Sequence, residues 1–168
     1  LANLFADGAA MGLGNYLSIR SDQKLYRSVY QKELLETQRS RSFEIEETEL
    51  LFQEQGFEEE DAKALTTIVS KNTDFWVRFM VQYECDMDNP ENDSALFSGI
   101  ATFVSFLAFG FIPLIPYFVT VDVSGAFVSS IGCTAVALTL LGLFRAYFTK
   151  DSYIISVIET LLIGGTAA

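Results

Sequence analysis

The chain has 168 residues, half of them hydrophobic, with 22 acids against 11 bases and a formal net charge of −11. It contains no histidine, which removes imidazole catalysis, haem ligation and most zinc chemistry. The acid excess argues against nucleic acid as a partner, because phosphate needs Lys and Arg.

Charge and apolarity separate along the sequence. Between Asp22 and Asp93 lie 18 of the acids and 8 of the bases, whereas the stretch from Ser94 to Ala168 carries only Asp122, Arg145, Lys150, Asp151 and Glu159. This predicts an all-α polytopic membrane protein: a membrane helix over 1–21, an acidic water-facing insert over 22–93, and three membrane helices over 94–168, the last cut short. The chain opens on Leu1 inside an apolar pattern and closes on the still apolar Gly164-Gly165-Thr166-Ala167-Ala168. Both ends read as internal to a longer protein.

In chain order, Leu1 to Ile19 reads as part of a membrane helix that leaves the bilayer at Arg20-Ser21-Asp22. Alone it is too short to establish a span, which needs roughly 20 apolar residues. The insert reads as three helices. The first, Asp22 to Ser40, continues the membrane helix without a Gly or Pro. The second, Ser42 to Gln55, stops at Gly56, a residue suited to a helix C-terminus. The third starts in Glu58-Glu59-Glu60-Asp61, acids that suit the positive end of the helix dipole. It then runs through Ala62, Leu65, Ile68, Val69, Phe75, Trp76, Phe79, Met80 and Tyr83 at helical spacing, and Asp88-Asn89-Pro90 breaks it.

Beyond the insert, Ala95 to Val119 and Val123 to Phe144 are free of charge and long enough to span about 30 Å of hydrocarbon. Pro113 and Pro116 mark a break near the end of the first. Ile154 to Ala168 is apolar except for Glu159, which reads either as a proton or ion group or as an interfacial residue. Tyr117, Tyr147, Phe148 and Tyr153 fit interfacial anchoring. Arg20 and the bases of the insert lie on one side, joined by Arg145 and Lys150 if the intervening helices form a hairpin. The turn Thr120-Val121-Asp122 has no base, so the positive-inside rule puts the insert in the cytoplasm.

Two constellations could carry chemistry. Asn3, Asp7, Met11 and Asn15 are each four residues apart and line one helix face. Polar groups at membrane depth are costly unless they face a cavity or a partner, so the stripe is either an ion pathway or a polar helix seam. Gly8, Gly12 and Gly14 beside it permit close helix approach. In the insert, Glu33 with Glu36 and Glu44 with Glu47 are i, i+3 pairs, and Met80 with Glu84 is i, i+4. Folded together they would converge carboxylates that repel by roughly 4 kcal/mol per pair at about 4 Å and an effective dielectric of about 20. A bound cation reverses that sign. Oxygen-rich sets favour hard ions such as Mn²⁺, Mg²⁺ or Ca²⁺, and the thioether adds affinity for softer ones. The alternative is an acidic face that is merely solvated. Cys85 and Cys133 fall in different regions with no CxxC spacing, so neither a zinc site nor a redox pair is indicated, and Cys133 reads as packing.

Taken together these residues resemble the vacuolar iron transporter family. The resemblance is carried by Ala6-Asp7-Gly8-Ala9-Ala10-Met11-Gly12-Leu13-Gly14-Asn15-Tyr16-Leu17-Ser18, the Glu33/Glu36/Glu44/Glu47 series, Met80 with Glu84, and Pro113-Leu114-Ile115-Pro116-Tyr117. It covers essentially the whole chain. It implies a homodimer with five membrane helices per subunit and a cytoplasmic three-helix metal-binding domain between the second and third. It also implies exchange of Fe²⁺, often also Mn²⁺, for protons, in a bacterial inner membrane or a vacuolar membrane. By position, Glu33, Glu36, Glu44, Glu47, Met80 and Glu84 correspond to cytoplasmic metal ligands and Met11 to the thioether of the membrane pathway. Plant members carry an acid at the position of Asn3 and often at that of Asn15, a departure for which Asp7 could compensate. The family's first membrane helix, which supplies a pathway carboxylate, has no counterpart in the sequence.

The expectation is therefore a metal exporter, not an enzyme, with Fe²⁺ or Mn²⁺ as cargo and no resident cofactor; its partners are the metal ion, protons, the bilayer and a second copy. One rival is a membrane-anchored metal sensor or buffer. The other, a ferritin-like di-iron enzyme, would need Glu-x-x-His motifs that a chain without histidine cannot supply.

Overall fold

A computed structural model of the chain describes residues 1–119 and 122–167. Every regular element in it is helical: α1 (Ala2–Arg39), α2 (Arg41–Glu54), α3 (Glu59–Val69), α4 (Thr73–Tyr83), α5 (Ala95–Phe111), α6 (Ile115–Val119), α7 (Val123–Thr149) and α8 (Tyr153–Ala167). Short 3₁₀ turns at Pro90–Asn92 and Ile112–Leu114 complete the set. Thr120 and Val121, which share the expected turn with Asp122, lie outside the described residues. The chain forms two compact units, one of Gly14–Ser98 and one of Leu1–Leu13 with Gly99–Ala168.

In the Gly14–Ser98 unit, α1 runs without interruption to Arg39, and a single non-helical residue, Ser40, reverses the chain into α2. The backbone N–H groups of Phe43 and Glu44 donate to the Ser40 carbonyl, which fastens that corner. Helix α2 ends in a Schellman motif. The Gly56 N–H donates to Gln53 O, the Phe57 N–H donates to Phe52 O, and the Phe52 and Phe57 rings meet edge to face at 5.8 Å. Gly56 sits at φ +95°, a conformation that Gly adopts without a steric penalty.

The single third helix expected from Glu58 to Tyr83 is two helices. Helix α3 stops at Val69, Ser70 to Asn72 turn, and the Asn72 side chain caps α4 by accepting from the Phe75 N–H. An Asn N-cap satisfies a donor that a new helix would otherwise leave unpaired, so the break costs little. The insert thus contains four α-helical segments rather than three, followed by the 3₁₀ turn at Pro90–Asn92.

Trp76, Val77, Met80 and Val81 of α4 are fully buried. Val77 and Val81 pack with Tyr26 of α1, ringed by Val29, Tyr30, Leu34 and Met87. The Arg41 guanidinium donates to Ser70 O at 2.9 Å and lies 4.9 Å from the centre of the Trp76 ring, tying the α1–α2 corner to the α3–α4 turn. The segment after α4 is held on α1 by Gln23, whose amide donates to the carbonyls of Pro90 and Asp93.

In the other unit, Gly8 and Gly12 bring the start of α1 against α5. A Cβ on Gly12 would sit 2.8 Å from the Gly99 carbonyl oxygen, so that contact exists because the residue has no side chain. Helices α7 and α8 pack as a hairpin about Gly142, where an added Cβ would lie 2.7 Å from Val157 Cα. Asp122 caps α7 by accepting from the N–H groups of Ser124 and Gly125. The Ser130 hydroxyl donates to Pro113 O, fixing the 3₁₀ turn that ends α5. Two stretches, Ala95–Val119 and Val123–Thr149, are long and apolar enough to cross a membrane, and each buries only 11% of its apolar window. Tyr153–Thr166 is apolar but shorter.

Candidate metal centre

The corner at Ser40 places the last two turns of α1 beside the first two turns of α2, and α4 brings its C-terminal end to the same place. Glu33 and Glu36 come from α1, Glu44 and Glu47 from α2, and Glu84 caps the end of α4. Their carboxylates form overlapping groups. Within Glu33, Glu36 and Glu44, and again within Glu44, Glu47 and Glu84, oxygens lie within 4.8 Å of one another. All five carboxylates predicted from spacing are therefore brought together. Glu33 is 1% exposed and Glu44 4%, which distinguishes this cluster from a solvated acidic face.

Such packing shows in the acidities. Burial, then the charge of Glu44 and a hydrogen bond with it, raise the Glu33 carboxyl to about 7. Burial, then the charges of Glu33, Glu47 and Glu36, raise Glu84 to about 7. Glu44 is raised chiefly by burial, against a hydrogen bond from Glu33 that lowers it. Lys32, 3.3 Å from Glu36, offsets only part of the negative charge. Within the cluster, Oε2 of Glu44 is buried without a hydrogen-bond partner among the described residues. A buried acceptor without a donor costs about 1–3 kcal/mol or more when charged. A cation coordinated there would remove that cost, and the donor set suits a hard or borderline divalent ion.

Met80, the predicted thioether ligand, is fully buried, with its sulfur 3.2 Å from the Thr48 hydroxyl. That hydroxyl donates to Glu44 O at 2.6 Å and accepts from Trp76 Nε1 at 2.7 Å. Thr48 and Trp76 thus lock the α2 turn that carries Glu44. Sequence reading took Trp76 only as an apolar helix position and missed Thr48, although Thr48 follows Glu44 by four residues on the same helix face. It also set aside Cys85, whose sulfur lies within 4.8 Å of carboxylate oxygens of Glu33 and Glu84. The lack of a CxxC spacing hid a thiol that shares its neighbourhood with acids, not with the other cysteine.

The pathway stripe is divided. Asn3, Asp7 and Met11 belong to the unit with α5–α8, and all three are exposed. Met11 lines an open apolar cleft of about 560 Å³ with Ala101, Thr102, Ser105 and Phe106. Asn15 belongs to the other unit and donates to Ser98 O at 3.3 Å. Of the glycines beside the stripe, Gly8 and Gly12 make close contacts, whereas a Cβ on Gly14 would meet nothing within 4 Å.

The VIT family model matches residues 1–168. The chain is 30% identical over 168 residues to a vacuolar iron transporter of Centaurea cyanus, covering all of this chain and 69% of that protein. It is 29% identical over 168 residues to vacuolar iron transporter 1 of Arabidopsis thaliana, covering 100% of this chain and 67% of that protein. A vacuolar iron transporter of Plasmodium berghei is 28% identical over 176 residues, with 99% of this chain and 64% of that protein covered.

Proposed function

The chain belongs to the VIT family, and from that premise we propose that it moves a divalent metal, Fe²⁺ or Mn²⁺ or both, out of the cytoplasm in exchange for protons. The observation that carries the reading is the cluster of five carboxylates around the buried, unpartnered Glu44 Oε2. Glu33 and Glu84, raised to about 7, hold protons near neutral pH that an arriving cation displaces. Metal capture and proton release are then one event at this site, which is the chemistry that a metal–proton exchanger needs. In this reading the cargo is carried without chemical transformation.

The acidic insert over 22–93 then faces the cytoplasm, on the side of most Lys and Arg, and Asp7 and Met11 contribute donors to the membrane pathway. The small buried fraction of Ala95–Val119 and Val123–Thr149 leaves apolar surface for lipid and for the second copy of a homodimer. The test is Mn²⁺ or anaerobic Fe²⁺ flux through the full chain in proteoliposomes under a pH gradient. Asp7→Asn and Met11→Leu should each abolish most flux while metal binding in detergent persists. Wild-type flux in both variants would reduce the stripe to a packing seam, and binding without flux in the unaltered chain would favour the metal buffer.

A further inference from the structure

Cys85 is the first residue past Glu84, where α4 ends and the chain turns away through Asp86 at φ 51°. Its thiol is free and half-buried, and its sulfur, an oxygen of Glu84 and an oxygen of Glu33 lie within 4.8 Å of one another. Those same two carboxylates close the groups containing Glu44, whose Oε2 is buried without a partner. The thiol therefore sits beside a set of donors whose negative charge Lys32 offsets only in part. Three atoms at this spacing, two oxygens and one sulfur from α1 and the end of α4, can move onto one ion with small side-chain rotations. Metal–oxygen distances near 2.0–2.2 Å and a metal–sulfur distance near 2.3 Å leave the donors about 3–4 Å apart.

We propose that Cys85 is a metal ligand, and that with Glu33 and Glu84 it forms a mixed oxygen–sulfur subsite that favours thiophilic divalent cations over Mn²⁺ and Mg²⁺. The inference rests on the carboxylate cluster being a metal site, and it adds a donor that changes selectivity. Thiolate is a soft ligand, whereas carboxylate alone leaves hard ions competitive. On coordination the sulfur–metal bond forms, the S–H bond breaks heterolytically, and the proton passes to solvent without change of oxidation state. Because Glu33 and Glu84 are shared with the other groups, an ion held by Cys85 competes with one held by Glu44 and Glu47. The subsite thus acts on which cation the cluster retains.

The test is titration of the full chain in detergent with Co²⁺ as probe, in a Cys133→Ser background kept reduced by a phosphine. A near-ultraviolet thiolate-to-cobalt band should grow with Co²⁺ and be abolished by the further change Cys85→Ser. Competition between Cd²⁺ and Mn²⁺ gives a second readout. Cys85→Ser should lower the preference for Cd²⁺ by about tenfold or more, the scale on which groups outside a ligand set already move metal affinity, while Mn²⁺ affinity changes less. Co²⁺ that competes with Mn²⁺ yet gives no thiolate band in the Cys133→Ser protein would overturn the assignment and leave the carboxylate site standing. Failure of Co²⁺, Cd²⁺ and Mn²⁺ alike to bind would overturn both.

Discussion

At the scale of single residues, the cluster combines a cost with a lock. The cost is charge: Glu33 and Glu44 are buried against each other, and Glu33 and Glu84 hold protons up to about pH 7. Carboxylates raised in the folded state bind more protons there than in the unfolded chain between about 4.5 and about 7, so metal-free stability falls as pH rises through that window and levels off above it. Melting of the metal-free chain in detergent, followed across that window, should show this decline. The decline should shrink in Glu33→Gln/Glu84→Gln and disappear when metal is added at the upper end. A chelator-treated protein that grows more stable from pH about 5 to about 7.5 would contradict the assigned acidities. The lock is Thr48, which accepts from the buried Trp76 Nε1 and donates to Glu44 O. Thr48→Val keeps the shape and strands an indole N–H in the core, which should cost about 1–3 kcal/mol in unfolding free energy. Urea unfolding without a measurable change would show that the indole finds another acceptor.

At the scale of elements, local signals decide how far the sequence could be read. The uninterrupted α1 was legible from the absence of breakers after Gly14, and the end of α2 from Gly56. Because Gly56 stands at φ +95° with open space around it, Gly56→Ala tests backbone strain alone. It should cost about 1 kcal/mol without altering metal affinity, as seen by melting and by Mn²⁺ titration. The α3–α4 break was not legible from periodicity, since Ile68, Val69, Phe75 and Trp76 carry the apolar pattern through it. The available signal was Asn72 followed by Thr73 and Asp74, a capping sequence without a Gly or Pro to announce it. The same principle ends α5 at Phe111, just before Pro113 enters the 3₁₀ turn. There the prolines were noticed and the break was expected.

At the scale of the whole molecule, the acidic middle and apolar ends were legible from charge placement, because water and hydrocarbon accept such different residues. The convergence of Glu33, Glu36, Glu44, Glu47 and Glu84 was legible only as paired spacings. Spacing fixes which face of a helix a carboxylate occupies, and not which other helix it meets. The single-residue corner at Ser40 and the α3–α4 turn supply that pairing, and neither is a repeat or a motif. Cys85 was illegible for the same reason, since its neighbours Glu33 and Glu84 become a group only after α4 returns to α1. Two double variants of the full chain in detergent separate a metal site in this cluster from diffuse acidity. Glu44→Gln/Glu47→Gln removes carboxylates from the cluster, whereas Glu58→Gln/Glu59→Gln removes the same charge from the exposed start of α3, where Glu59 pairs with Lys63. Saturating Mn²⁺ should stabilise the unaltered chain by about 2.7 kcal/mol at 100 times its dissociation constant, read as a rise in melting temperature. This rise should be mostly lost in the first variant and kept in the second; an equal rise in both would show that the cluster is diffuse acidity and not a metal site.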